Sequence, residues 1–150
     1  MTRTVVVADC SVTGAWFLPD EASEPASRLL AVVLAREVEL AAPVLWHYES
    51  LNLLRSAVVR QRLTAAAARE AVALWREVPV TWYAPRPEEA GALLDGALDR
   101  DLLVYDAAYV ALARGLGCPL LTEDVAILEA EPPDVVVRRL QDWTPAGGRP

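Results

Sequence analysis

The strongest constraint on the fold is the alternation of short β-branched runs with longer helical patterns along the chain. The first run, Thr4 to Ala8, contains three consecutive valines, which suits a strand that is covered on both faces of a sheet. Because helical patterns separate the successive runs, the strands are expected to lie parallel, with helices on both faces. The sequence therefore predicts a three-layer α/β/α domain, whose further strands lie at residues 38–41, 80–83, 119–122 and 135–137.

The helical patterns have recognisable ends. Ser23 and Thr64 can cap the amino ends of two helices, and Gly115 and Gly117 are typical of a helix carboxyl end. At 150 residues, the chain has the length of one domain, which is expected to span residues 1–143 and to be followed by a flexible tail at 144–150. Helices are predicted at residues 26–36, 45–62, 64–77, 88–100 and 106–114, after a single helical turn that begins at Ser11 and stops near Pro19.

The composition limits the class of protein. Hydrophobic residues make up 54% of the chain, more than the usual fraction of about 45–50%, which excludes a disordered chain and favours a buried subunit interface. No apolar stretch approaches the roughly 20 residues of a membrane helix, and the short opening valine run does not form a secretory signal. We therefore expect a cytoplasmic protein with no membrane partner.

The charged and metal-binding residues exclude several kinds of site. The net charge is −7 and every basic residue is arginine, so a uniformly basic surface for nucleic acid is excluded. Cys10 and Cys118 are too few for a disulfide framework and are predicted to be free thiols. His47 is the single histidine, which argues against a histidine metal site and against a Ser-His-Asp triad. A polyanion would have to bind through local arginines or through metal ions.

Two carboxylates follow predicted strands. Asp9 comes directly after the first strand, and Asp124 comes two residues after Thr122 at the end of the fourth. The carboxyl ends of parallel strands are where such sheets bind ligands. Each residue could instead serve only as a helix N-cap, because aspartate is favoured there.

Two further carboxylates lie on predicted helices. Glu49 and Asn52 are three residues apart, so they share a helix face, which is flanked by leucines. A surface glutamate paired with Arg55 is an equally good interpretation of Glu49. Asp106 begins an almost wholly apolar helix, which predicts that it stands at the floor of a cleft rather than on an open surface.

Together, the four carboxylates predict a metal site if they converge on one edge of the sheet. Such a cluster is repulsive and would destabilise the fold unless a cation or protons offset its charge. Oxygen ligands without histidine or cysteine suit Mg²⁺ or Mn²⁺. Because such an ion can activate water and accept charge from a phosphate oxygen, the implied reaction is phosphodiester hydrolysis.

Four segments surround these carboxylates: VVVADCSV at 5–12, ESLNLLR at 49–55, YDAAYVALA at 105–113 and LTED at 121–124. In this order they resemble the PIN-domain family, most closely the VapC-type toxins of bacterial toxin–antitoxin pairs. The resemblance implies a five-stranded parallel sheet of order 3-2-1-4-5 and a Mg²⁺-dependent ribonuclease with an RNA substrate and a cognate antitoxin.

The resemblance also implies roles for individual residues. Ser11 and Thr122 match hydroxyl positions around the acidic set, and Asn52 matches its usual neighbour. Cys10 stands where a small hydroxyl residue is more common, and the segment after Asp124 is more apolar than the usual basic version. The acidic metal-binding set corresponds to Asp9, Glu49, Asp106 and Asp124.

Arginines and apolar surface suggest the contacts with RNA and with protein partners. Arg55 and Arg62 are seven residues apart, so on a continuous helix they would form a stripe that can hold RNA phosphates. A merely solvated face is the alternative. The surplus of apolar residues favours a homodimer or a groove for the antitoxin.

Other functions of this fold class fit the sequence less well than a ribonuclease. Phospho-acceptor domains share this fold class, but their chemistry typically needs a lysine, which the chain lacks, and the phosphatase version needs an aspartate where Ser11 stands. A P-loop enzyme is excluded because no Gly-Lys-Ser/Thr sequence is present. The remaining alternative is a catalytically inactive PIN-like module that binds a partner protein.

Overall fold

The computed structural model describes residues 3–145. Five strands within them form one sheet. The strand order is β3-β2-β1-β4-β5, and every neighbouring pair is parallel. This confirms the predicted sheet and its order. The strands are β1 (Thr4–Ala8), β2 (Val38–Pro43), β3 (Val80–Tyr83), β4 (Leu120–Leu121) and β5 (Val137–Arg138).

Helices cover both faces of the sheet, which confirms the three-layer architecture. Their starts follow local chemistry: Ser23 accepts a hydrogen bond from the amide of Ala26, and Thr64 accepts one from the amide of Ala67. The helices are α1 (Cys10–Thr13), α2 (Glu24–Leu34), α3 (Leu45–Val59), α4 (Ala65–Glu77), α5 (Ala90–Arg100), α6 (Val104–Leu116) and α7 (Val125–Ala130). Short 3₁₀ turns lie at Gly14–Trp16, Pro19–Glu21, Pro87–Glu89 and Leu140–Asp142.

Several element boundaries differ from the sequence-based prediction by one to three residues, and two of these differences have a clear physical cause. Helix α3 ends at Val59 rather than at residue 62, because Gln61 adopts a left-handed φ of 58° that no α-helix continues through. The fifth strand begins at Val137 rather than at residue 135, because it pairs with only the two residues of β4. The domain limits 1–143 stay a prediction, and residues 146–150 of the predicted tail lie outside the described residues.

Helix α3 is held in place by aromatic packing. Trp46 is fully buried, and its indole N–H donates to Thr13 Oγ1 at 2.9 Å, which ties α3 to α1. Its ring stacks on Trp75 of α4 at a centroid distance of 5.8 Å, and His47 packs edge-on against Trp75 at 4.9 Å. Trp75 and His47 therefore serve in packing.

The strand order creates a crevice between β1 and β4. The chain runs from β1 outward through β2 to β3 and then returns to β4 on the other side of β1. The connection after β1 therefore leads to one side of this pair, and the connection after β4 leads to the other. Ligands bind at such switch points, outside the carboxyl ends of the strands. The backbone pairing of β1 with β4 continues one residue beyond the end of β1, where the amide of Asp9 donates to Leu121 O at 3.2 Å.

Two further sequence predictions concern the state of the cysteines and the presence of membrane-spanning helices. Cys10 and Cys118 are both free thiols, as predicted. Within residues 3–145, no helix is long and apolar enough to cross a bilayer.

The packing of β1 gives a stability prediction. Val7 is 0% exposed, whereas Val59 at the end of α3 is 65% exposed. Val7→Ala should lower the free energy of unfolding by about 2–3 kcal/mol, since it removes buried methyl groups and leaves a cavity. Val59→Ala, the matched control, should change it by less than about 0.5 kcal/mol. Urea unfolding measures both, and equal effects would contradict the assignment of β1 to the core.

Candidate active site

Asp9 lies at the centre of the crevice and is 6% exposed. Its Oδ1 caps α1 by accepting from the amide of Ser11 at 3.0 Å, and the Ser11 hydroxyl donates to the same oxygen. Its Oδ2 accepts from Thr122 Oγ1 at 2.5 Å. Asp9 is thus both the helix cap and a buried carboxylate, and the two interpretations of the sequence are compatible.

The segment that follows β4 completes the edge of the crevice. Thr122 is buried, and its Oγ1 accepts from the amide of Asp124 at 3.0 Å. The amide of Glu123 donates to Ser11 Oγ at 2.7 Å, which links this segment to α1. Asp124 caps α7 by accepting from the amide of Ala126 at 2.8 Å. Ser11 and Thr122 therefore bridge the ends of β1 and β4, the positions that the resemblance implied for hydroxyl groups.

Glu49 reaches the site from α3 and is half-buried. Its Oε1 accepts a hydrogen bond of 2.6 Å from the hydroxyl of Tyr109, which lies on α6 one turn after Asp106. Within residues 3–145, Glu49 makes no ion pair with Arg55, the alternative that the sequence left open. Sequence reasoning missed Tyr109, although a tyrosine on the same face as Asp106 in an apolar helix was an available signal.

The carboxylates influence one another electrostatically. Burial raises the pKa of Asp9 to about 6; hydrogen bonds from Ser11 and Thr122 oppose this, and the charge of Asp124 adds to it. Burial also raises the pKa of Glu49, with a further contribution from Asp106. The pKa of Asp106 is raised by burial and by Asp124. The four predicted carboxylates thus interact as a chain of neighbours.

The donor chemistry of this region suits a hard cation, although the side chains are not gathered around a single point. Among residues 3–145, no three histidine, cysteine, aspartate or glutamate side chains are positioned to hold one metal ion. The available donors are carboxylate and hydroxyl oxygens, which Mg²⁺ and Mn²⁺ prefer. Burial raises the pKa of Cys10 to about 12, which keeps its side chain a neutral thiol in the metal-free protein.

The two predicted RNA-binding arginines have different surroundings. Arg62 makes ion pairs with Asp20 at 2.8 Å and with Glu21 at 2.7 Å, and it lies beyond the end of α3. It therefore shares no continuous helix with Arg55, which is exposed on α3. Asn52 is also exposed, one turn after Glu49. The roles of Arg55, Arg62 and Asn52 stay predictions.

Glu123 is a second residue that sequence reasoning missed. Its carboxylate accepts from the amide of Leu140 at 3.0 Å and from the guanidinium of Arg139 at 2.9 Å. These contacts fix the 3₁₀ turn Leu140–Asp142 to the segment that carries Thr122 and Asp124. Within this three-residue run, the sequence pattern identifies only Thr122 and Asp124 as candidate site residues.

No protein-family profile matches the chain. Ribonuclease VapC3 of Pyrobaculum aerophilum is 37% identical over 134 residues, which cover 85% of this chain and 95% of that protein. The chain belongs to the VapC family of PIN-domain proteins. Ribonuclease VapC9 of Mycobacterium tuberculosis is another relative, 36% identical over 67% of this chain and 79% of its own.

A solved structure supports the fold of this VapC-family chain. The crystal structure of VapBC2 from Rickettsia felis, bound to a DNA fragment from their promoter, superposes with a TM-score of 0.65. The match covers 91% of this chain and 98% of that one at 8% identity, so it shows a shared fold alone.

The raised pKa of Asp9 predicts how stability depends on pH. Because its folded-state pKa of about 6 exceeds the ordinary 3.8, protonation of Asp9 stabilises the fold, and this contribution is lost as pH rises through 6. In metal-free protein, the stability of Asp9→Asn relative to the native chain should therefore increase by about 2.4 kcal/mol from pH 4 to pH 7. Urea unfolding at each pH measures the difference, and a constant value would contradict the buried, ionisable Asp9.

Proposed function

We propose that the protein is an endoribonuclease that uses Mg²⁺ or Mn²⁺ to hydrolyse phosphodiester bonds in RNA, and that it acts as the toxin of a toxin–antitoxin pair. The observation that carries this proposal is the buried carboxylate of Asp9 at the switch point, electrostatically linked to Asp124 and through it to Asp106. The VapC relatives that are named ribonucleases support the same reaction.

Asp9, Asp106 and Asp124 are the proposed metal ligands, and an ion would have to draw their side chains together, because they are not positioned around one point among residues 3–145. Glu49 completes the site or orients the attacking water. A bound divalent ion would supply positive charge for the phosphate oxygens and lower the pKa of water. The ligands carry mutually repelling charges, which such an ion would offset.

The hydroxyls of Ser11 and Thr122 have a defined part in this proposal. Both donate to Asp9, and both hydrogen bonds favour its ionised form. They hold the carboxylate in one orientation, so little conformational freedom has to be lost when a cation binds. Asp9 thus remains available as an anion despite its burial.

The acidic chain needs a way to attract RNA, which is itself negatively charged. At a net charge of −7, the overall field opposes a polyanion, so the proposed cation must reverse the field locally. Arg55 is a proposed phosphate contact because it is exposed on the helix that carries Glu49. Arg62 is a weaker candidate, since an RNA phosphate would compete with its two ion pairs.

The reaction can be tested with charge-neutral variants. Asp106→Asn should lower RNA cleavage by about 100-fold or more, because one carboxylate for the ion is lost while the side-chain size is kept. Asp99→Asn on the exposed face of α5 is the matched control and should cleave like the native chain. Gel assays on unstructured RNA with Mg²⁺, with Mn²⁺ and with EDTA give the rates.

Two results would contradict the proposed reaction. Cleavage that persists in EDTA would remove the metal from the proposal. An absence of cleavage across varied RNAs in either metal, together with retained binding to a protein partner, would favour the inactive binding module instead.

We also propose that the protein forms a homodimer and binds a cognate antitoxin. Leu94 and Leu98 lie one turn apart on α5 and are 52% and 70% exposed, so they form an apolar ridge. A two-fold axis through such a ridge would bury the same residues on both subunits. The cognate antitoxin is expected in a separate apolar groove, which the surplus of apolar residues also favours.

A charge on this ridge should disrupt the dimer. Leu98→Asp should weaken self-association by at least about tenfold, because the carboxylate would lose its hydration in the interface. Val136→Asp, which places the same charge at an exposed valine outside α5, is the control. Sedimentation should give twice the 16.3 kDa chain mass for the native protein and the control. A native chain that sediments as a monomer would refute the dimer.

A further inference from the structure

We propose that Tyr109 is a positioning residue, whose phenol hydroxyl holds the carboxylate of Glu49 at the metal-binding edge of the sheet. The inference rests on the proposed function and assigns a role to a residue outside the acidic set. Tyr109 would act through Glu49, without touching the RNA or the ion.

The burial of Tyr109 shows that its hydroxyl depends on Glu49. The side chain is 1% exposed, on a helix whose other buried residues here, Ala107, Val110 and Ala113, are apolar. A hydroxyl in such surroundings has lost its contacts with water and is costly without a partner. Its partner is Glu49 Oε1, at 2.6 Å. A phenylalanine would fill the same space, so the hydroxyl serves this single contact.

Glu49 is a carboxylate that needs to be held. Its side chain is only half-buried, so the carboxylate could turn toward solvent and away from the crevice. The hydroxyl of Tyr109 opposes that movement, and a hydrogen bond to a charged acceptor is stronger than a neutral one. Within residues 3–145, Glu49 Oε2 accepts no hydrogen bond, which leaves it for a metal ion or a water.

The same contact also sets the distance between two helices. Tyr109 lies one turn from Asp106 on α6, while Glu49 belongs to α3. On the other side of α3, Ser50 Oγ lies 3.5 Å from Cys10 Sγ, at the start of α1. The helix is therefore fixed on both sides of Glu49, by Tyr109 toward α6 and by Ser50 toward α1.

The test compares two tyrosine-to-phenylalanine variants. Tyr109→Phe removes the hydroxyl that contacts Glu49, and Tyr83→Phe removes the hydroxyl of a half-buried tyrosine at the end of β3 that makes no side-chain hydrogen bond in the described chain. Calorimetry with Mn²⁺ measures metal affinity, and RNA cleavage with Mg²⁺ gives kcat and KM. Tyr109→Phe should lower the Mn²⁺ affinity and kcat by about tenfold each, with KM within about twofold. Tyr83→Phe should leave all three within about twofold.

A double-mutant cycle separates positioning from a general loss of packing. If Tyr109 acts through the Glu49 carboxylate, adding Tyr109→Phe to Glu49→Gln should change the Mn²⁺ affinity by less than about twofold. A full tenfold effect in the Glu49→Gln background would overturn the proposal. So would a Tyr109→Phe variant that matches Tyr83→Phe in both metal affinity and kcat.

Two further measurements test the role of Tyr109 if Tyr109→Phe does not fold or if the native chain cleaves no RNA. If Tyr109→Phe does not fold, the tyrosine resonance Raman doublet, summed over the four tyrosines, is compared between the native chain and Glu49→Ala, which lacks the acceptor oxygen, and an unchanged doublet would refute the contact. A native chain that cleaves no RNA would refute the proposed function, yet the Mn²⁺ titrations would still decide the role of Tyr109. A native chain without an Mn²⁺ site would overturn both.

Discussion

The hydrogen bonds to the buried carboxylate of Asp9 are the interaction on which the site depends. They join three parts of the chain: the end of β1, the first turn of α1 and the segment after β4. A carboxylate at this depth is costly when charged, and the Ser11 and Thr122 hydroxyls offset part of that cost. The fold therefore holds a carboxylate in its interior, and the negative charge of Asp124 makes the ionised form of Asp9 still more costly. Carboxylates with pKa values perturbed in this way cluster at functional sites.

Much of the fold could be predicted because local signals and global packing agree. The valines before Asp9 form the central strand, and the caps at Ser23 and Thr64 begin the helices where the sequence places them. Consistency of this kind is expected of a chain with one strongly favoured structure. The end of α3 was harder, because a left-handed residue such as Gln61 carries no glycine signal.

The site was predictable only in part, for physical reasons. Strand ends identify Asp9 and Asp124, since the position of a parallel strand's carboxyl end follows from topology. The partners of side chains from distant segments do not follow from spacing. Tyr109 lies sixty positions from Glu49, and Arg62 pairs with acids about forty positions away. Each pairing depends on how the helices pack, which periodicity does not encode.

The tryptophan cluster at α3 can report spectroscopically on the position of this helix at the cleft. Trp46 and Trp75 stack with their planes 18° apart, and Trp82 lies 5.7 Å from Trp46. Indole rings this close couple electronically, so their near-ultraviolet circular dichroism depends on their mutual orientation. Trp46 lies three residues before Glu49 on the same helix. A shift of that helix would therefore change the spectrum without any added label.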